Sequence, residues 1–272
     1  MKKIRIYWRY IIKVFSILIT KGYYKVKTPE DASDLTYETD TVVVSDHKVI
    51  EEKIKEGTIS RKDNWKIFVI LDAGHGPTTS GKRSPVMENN KVFYEWKFNL
   101  EIINRISYKL KSLGIPHDIV NKYLDPDHGN ALKERAFIIN NLIIPPKDLF
   151  PLVISQHANA WGTNWNSASG SEVWVYYNGD KDSKAHKDRV DLASVFLKHY
   201  IKNLKLRNRG VKYRLIDQFY LLRKTKYLTI FLEPGFMTNK KEVKFLDSEK
   251  GKELVVQSFV DAIIEINNKI KT

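Results

Sequence analysis

The sequence predicts an α/β fold: a single, mostly parallel twisted sheet with helices on both faces, plus an N-terminal extension. Two observations predict it. From Trp65 onward, apolar runs of strand length alternate with longer segments in which apolar residues recur every three or four positions. Such alternation builds parallel strands joined by helical crossovers, which bury both faces of the sheet. Before Trp65 that rhythm is absent and the charge balance changes sign, so the chain divides into an extension, residues 1–62, and a main domain, residues 63–272.

The elements follow in order. Residues 4–19 are dense in Ile, Tyr, Trp and Phe, with Arg5, Arg9 and Lys13 every fourth residue, the spacing that stacks them on one face of a basic amphipathic helix. Residues 41–44 suggest a short strand and 47–55 a short helix. Residues 66–71 read as a buried strand, and 96–113 as a helix with Phe98, Ile102, Ile103, Ile106, Leu110 and Leu113 on its apolar face. Gly114 stops that helix, and 115–121 return as a strand. Residues 131–144 read as a helix halted by Pro145 and Pro146, and 151–155 as a strand. Strands at 172–177, 219–222 and 228–232 and helices at 188–204 and 251–270 complete the pattern.

Composition narrows the chemistry. With 272 residues, 42% hydrophobic and 29% charged, the chain reads as globular with an ample core. It has no Cys, which excludes thiolate zinc cages, disulfide frameworks and cysteine catalysis together, so any metal must be held by imidazole and carboxylate. The formal net charge is +14: residues 1–27 carry eight Lys/Arg and no acid, 28–62 are net acidic, and the remainder holds 33 basic against 23 acidic residues. A basic body favours encounters with polyanions, although a lysine-rich composition alone gives the same balance. The first helix either lies on a membrane surface or anionic polymer or packs with its basic stripe in water. Its charge-free run, residues 14–20, is far short of the ~20 residues a membrane span needs. Nor does a small-residue cleavage site follow it, so no convincing signal peptide is expected.

Three strands end in residues suited to a catalytic metal: Asp72-Ala73-Gly74-His75-Gly76, Ser155-Gln156-His157-Ala158-Asn159 and Glu233-Pro234-Gly235-Phe236-Met237-Thr238-Asn239. Side chains at the ends of neighbouring parallel strands converge, and ligands bind at that edge. Catalytic zinc takes three protein ligands, commonly two His and one Glu, and keeps a position for water. Taken singly, His75 and His157 are also ordinary turn residues, and Glu95 at a helix start is favoured by the helix dipole alone. Glu233 at the mouth of a buried strand needs either a partner, such as Lys240 or Lys241, or a task in proton transfer.

Together these segments resemble the zinc-dependent N-acetylmuramoyl-L-alanine amidases, which cut the bond between muramic acid and the first L-alanine of peptidoglycan. The resemblance spans residues 66–268. It rests on the first motif, with Ala73 where Pro is more usual and Pro77 in place of a second Gly; on Glu95 with Asn99-Leu100; on Leu132, Arg135 and Asn140; and on residues 155–159. It continues through Arg209-Gly210-Val211, Phe219 and Leu222-Arg223 to the Glu233 motif, with Thr238 where Ser is usual. The resemblance implies His75, Glu95 and His157 as ligands of Zn²⁺ and Glu233 as general base and then acid. Asp72, Asn159 and Arg223 become candidates for orienting a ligand or contacting substrate. The other histidines, His47, His117, His128, His186 and His199, default to the surface.

Residues 76–83, Gly-Pro-Thr-Thr-Ser-Gly-Lys-Arg, nearly spell a phosphate-binding loop. Arg83 stands where a hydroxyl would bind Mg²⁺ and Pro85 interrupts the helix, so no nucleotide is expected as a partner; nucleic acid is not an expected partner either. Lys82 and Arg83 are expected at the cleft mouth instead, facing anionic groups of the wall. The implied partner is peptidoglycan, with anionic wall polymers or a membrane surface met through residues 1–27. Two other readings stay open: a zinc peptidase that cuts the stem peptide, and a wall-binding or virion module without catalysis. The expected place of action is the cell wall, as a host autolysin or, given the poor signal peptide, a phage endolysin released at lysis.

Overall fold

The computed structural model describes residues 65–88, 90–124, 132–214 and 219–271. The elements expected at 4–19, 41–44 and 47–55 lie outside these residues. Six strands form one sheet: β1 (Ile67–Ala73), β2 (His117–Ile119), β3 (Phe150–Gln156), β4 (Ser171–Tyr176), β5 (Asn208–Arg214) and β6 (Leu228–Glu233). Their order is β2-β1-β3-β6-β4-β5. The first four in that order are parallel, β4 runs antiparallel to β6, and β5 is parallel to β4. The sheet is therefore mixed but mostly parallel, as expected.

The helices are α1 (Glu95–Ser112), α2 (Leu132–Phe137), α3 (Lys184–Leu204), α4 (Tyr220–Lys224), α5 (Lys240–Asp247) and α6 (Glu249–Lys271). Because side chains alternate along a strand, β1, β3, β6 and β4 each offer two faces. Ile70, Val153, Phe231 and Trp174 pack with Ala136, Ile138, Ile139, Leu221 and Leu222 from the α2 and α4 side. The opposite face is covered by α1 and α3, and α6 packs on both of these helices. The central strands are almost wholly apolar, with Val69, Ile70, Leu71, Leu152, Val153 and Ile154 all at 0% exposure, which is why they read as continuous hydrophobic runs.

Several expected elements take another form. The strand expected over 115–121 keeps only β2, because the chain enters a 3₁₀ turn at Val120–Tyr123. There the Asn121 side chain acts as a strand partner, accepting from Ala73 N at 2.7 Å and donating to Ala73 O at 3.0 Å. The helix expected over 131–144 is α2 followed by a π-helical turn, Ile138–Leu142. The apolar run 219–222 is not a strand: Phe219 is left-handed (φ 64°) and α4 begins at the next residue. Four apolar residues fit a strand or a buried helical turn equally, and the C-terminal end of α4 is braced by Asn140, which donates to Lys224 O at 2.8 Å. The polar edge strand β5 and short helix α5 had no apolar run to announce them.

Register sets the site. Asp72 on β1 lies opposite Ser155 on β3, and Glu233 on β6 lies opposite Glu172 on β4. By the two-residue alternation these four side chains share the face of Ile70, Val153, Phe231 and Trp174. Since β4 runs the other way, its beginning is level with the ends of β1, β3 and β6.

Candidate metal centre

Three segments beyond the strand ends bring His75, Glu95 and His157 together. β1 leaves the sheet through Gly74, whose N–H donates to Gln156 O at 2.9 Å and so prolongs the β1–β3 ladder. A Cβ on Gly74 would overlap the imidazole of His157, so only glycine lets these two segments meet. His75 has φ 64°, a conformation that costs a non-glycine residue roughly 1–2 kcal/mol. Glu95 is the first residue of α1, and its N–H donates to Lys82 O at 3.1 Å. His157 follows β3, with its N–H donating to Leu232 O at 3.0 Å.

The ligand atoms of the three residues all lie within 4.8 Å of one another. Glu95 Oε1 is 3.0 Å from His157 Nδ1 and 3.3 Å from His75 Nε2, and it also accepts from Ala158 N at 3.2 Å. The two rings stand edge to face, 86° apart with centroids at 4.9 Å. Burial works against the charge of Glu95, yet hydrogen bonds and charge from His157 and His75 outweigh it and hold the carboxyl far below the usual range. Burial pulls His75 below the ordinary histidine value, with Glu95 opposing. A carboxylate kept ionised beside two imidazoles is the donor set a catalytic Zn²⁺ uses, so these residues fit that ion.

Glu233, at the end of β6, is 8% exposed, and its Oε2 is buried without a hydrogen-bond partner among the described residues. Burial, followed by the negative charges of Glu95 and Glu172, pushes its carboxyl well above the usual range. Glu172 went unnoticed in the sequence, where it is the first residue of an apolar strand with no motif around it. It is 4% exposed and accepts from Arg209 Nε at 2.6 Å, Asn159 Nδ2 at 2.7 Å and Trp174 Nε1 at 3.0 Å.

The other candidates separate. Asp72 is fully buried and lines the cleft, paired with Arg135 and accepting from Ser155 Oγ at 2.5 Å, and it is not one of the three converging residues. Asn159 lines the cleft, and its backbone ties the β3 end to the Glu233 motif through Gly235 O and Met237 N. Arg223 lies on α4 and is not among the cleft-lining residues. Lys82 lines the cleft and Arg83 does not. Among the remaining histidines, His186 (4% exposed) and His199 (8%) are buried, against expectation. His186 is stacked among Tyr177 and Tyr213, and His199 is hydrogen-bonded to Glu265.

A cavity of about 560 Å³ opens over these residues. Leu132, Phe219, Tyr220, Leu221, Phe231 and Met237 give apolar surface to the same cavity that His75, Glu95, His157 and Glu233 line. A cavity lined by both polar and apolar side chains suits a ligand with both kinds of surface.

The family model described as N-acetylmuramoyl-L-alanine amidase matches residues 69–265. In sequence the chain is 29% identical over 195 residues to YqiI, an uncharacterized protein of Bacillus subtilis, covering 72% of this chain and 82% of that protein. It is 28% identical over 200 residues to the N-acetylmuramoyl-L-alanine amidase LytC of Bacillus subtilis, covering 72% of this chain but 34% of LytC. Among solved structures it resembles the catalytic domain of CwlV, an N-acetylmuramoyl-L-alanine amidase from Bacillus (Paenibacillus) polymyxa var. colistinus. That match has 27% identity and a TM-score of 0.57, and covers 74% of this chain and 98% of that one. An N-acetylmuramoyl-L-alanine amidase from Clostridium difficile 630 is similar at 26% identity and a TM-score of 0.59, over 76% of this chain and 98% of the other. With its family model spanning most of the main domain, and with His75 and His157 just past two strand ends meeting Glu95 at the start of α1, the chain belongs to the N-acetylmuramoyl-L-alanine amidase family.

Proposed function

We propose that this chain hydrolyses the amide between N-acetylmuramic acid and L-alanine of peptidoglycan with Zn²⁺ held by His75, Glu95 and His157 and with Glu233 as proton carrier. The observation that carries this reading is the convergence of three ligand atoms within 4.8 Å beside a buried, unpartnered carboxylate oxygen. When bound, zinc supplies Lewis acidity for the scissile carbonyl and the attacking water. Glu233 takes a proton from that water as its oxygen bonds to the carbonyl carbon, then delivers the proton to the alanine nitrogen as the C–N bond breaks. Its unpartnered oxygen and raised proton affinity suit both halves of that cycle.

Residues 63–272 are the catalytic domain in this reading, and the cell wall is where it acts. Residues 1–62 are an extension whose basic stretch, 1–27, meets anionic wall polymers or a membrane surface. Among the described residues no helix is long and apolar enough to cross a membrane. Deleting residues 1–62 is expected to leave cleavage of soluble wall fragments intact and to weaken attachment to whole envelopes in a salt-sensitive way. Mass spectrometry of digested peptidoglycan tests the reaction. New alanine amino termini and peptide-free glycan are expected, whereas cuts confined to the stem peptide would refute the bond assignment.

A further inference from the structure

The cleft that His75, Glu95 and His157 line also holds a buried guanidinium that no step of the proposed reaction uses. Arg135 on α2 is 3% exposed. Its Nη1 donates to Asp72 Oδ1 and, at 2.7 Å, to Ala73 O, and its Nη2 donates to His75 O at 2.6 Å. A charge buried only to neutralise Asp72 would need the carboxylate alone. Arg135 instead also grips two backbone carbonyls, those of Ala73 and of the left-handed His75. The same Asp72 extends the link to the other imidazole, since its Oδ2 accepts from Ser155 Oγ at 2.5 Å. Ser155 has one hydroxyl proton. With that proton given to Asp72, a lone pair faces His157 Nε2 at 3.1 Å, so Nε2 carries a hydrogen and Nδ1 is the nitrogen left toward Glu95 at 3.0 Å.

We propose that Arg135 is a positioning residue for both imidazoles, directly through the His75 carbonyl and indirectly through Asp72 and Ser155, and that this chain of contacts makes Nδ1 the metal-binding atom of His157. The inference rests on the zinc reading above. It gives Asp72 and Ser155 one shared role, orienting rather than reacting, and it explains why a salt bridge is buried at the end of β1 where apolar residues would pack as well.

The test uses the full chain and zinc alone, with affinity measured by chelator competition and the ring nitrogens of His157 followed by ¹⁵N NMR. Arg135→Lys keeps the charge but loses the forked geometry, and Ser155→Ala removes one oxygen. Each is expected to weaken zinc binding about 10- to 100-fold, the usual effect of removing an outer partner of a ligating histidine. In the zinc-loaded wild type, Nδ1 of His157 should be metal-bound and Nε2 protonated. If Arg135→Lys does not fold, Ser155→Ala and the NMR assignment decide. Unchanged zinc affinity in the folded variants, or metal at Nε2, overturns the inference while leaving the amidase reading in place. A wild type that binds no zinc overturns both.

Discussion

Glu172 and Glu233 stand opposite each other in the register of β4 and β6, two buried carboxylates on one face of the sheet with unlike surroundings. Three donors, one of them the Arg209 guanidinium, satisfy Glu172, whereas Glu233 Oε2 has none among the described residues. That contrast divides their tasks: Glu172 is held by its donors, and Glu233 is pushed toward holding a proton. Replacing Glu233→Gln keeps shape and burial but removes proton transfer. Turnover is expected to fall by about 10²- to 10⁴-fold with zinc content unchanged, read by release of alanine amino termini and by metal analysis. Full activity in this variant would remove Glu233 from the mechanism.

The same pairing predicts a pH effect. Glu233 carries a raised proton affinity from burial first, then from Glu95 and Glu172, with Lys82 acting the other way. A base must be deprotonated to act, so activity falls on the acid side as Glu233 gains its proton. Glu172→Gln deletes one of the charges that raise it. The acid limb of the kcat/KM profile is therefore expected to move to lower pH. A limb that stays or moves upward would mean that Glu172 does not set the proton affinity of the base.

Much of this site was legible because its chemistry sits at the ends of apolar runs. His75, His157 and Glu233 each follow such a run, and Glu95 opens a helix whose periodicity is unambiguous. Glu172 was hidden because β4 is antiparallel to β6: its site residue comes at the beginning of the strand, where the parallel rule gives no reason to look. The expected strand at 219–222 failed for a different reason. Short apolar runs carry no period, and α4 is fixed by long-range contacts such as Asn140 with Lys224. His186 and His199 were misplaced because an imidazole can be buried once aromatic rings or a carboxylate meet it, and those partners are distant in sequence.

Gly74→Ala tests the packing of the centre separately from its chemistry. The added Cβ would occupy the space of the His157 ring, and His157 must move because the β1 and β3 ends beside it are locked in register. Loss of zinc is expected, with activity falling at least as far as in Glu233→Gln but for a different reason. Metal analysis separates them: the Glu233 variant keeps zinc and the Gly74 variant does not. Retained zinc in Gly74→Ala would mean that the two segments have more room than their contact implies.

On the far side of the sheet, Glu265 of α6 accepts from Lys198 Nζ at 2.7 Å and from His199 Nε2 at 2.8 Å on α3, and pairs with Lys269 at 3.3 Å. Burial disfavours its charge, but the hydrogen bonds from Lys198, His199 and Lys269 prevail and lower its carboxyl to about 2. A depressed carboxyl stabilises the fold above its unfolded value near ~4.3, and that contribution disappears as pH falls toward 2. The lysines are largely in water, so screening limits the contribution to about 1 kcal/mol. Glu265→Gln is accordingly expected to lower Tm by a few degrees at neutral pH, with the gap to wild type closing between pH 4.5 and 2 in thermal scans. A gap that persists at pH 2 would assign the loss to packing between α3 and α6 instead of to charge.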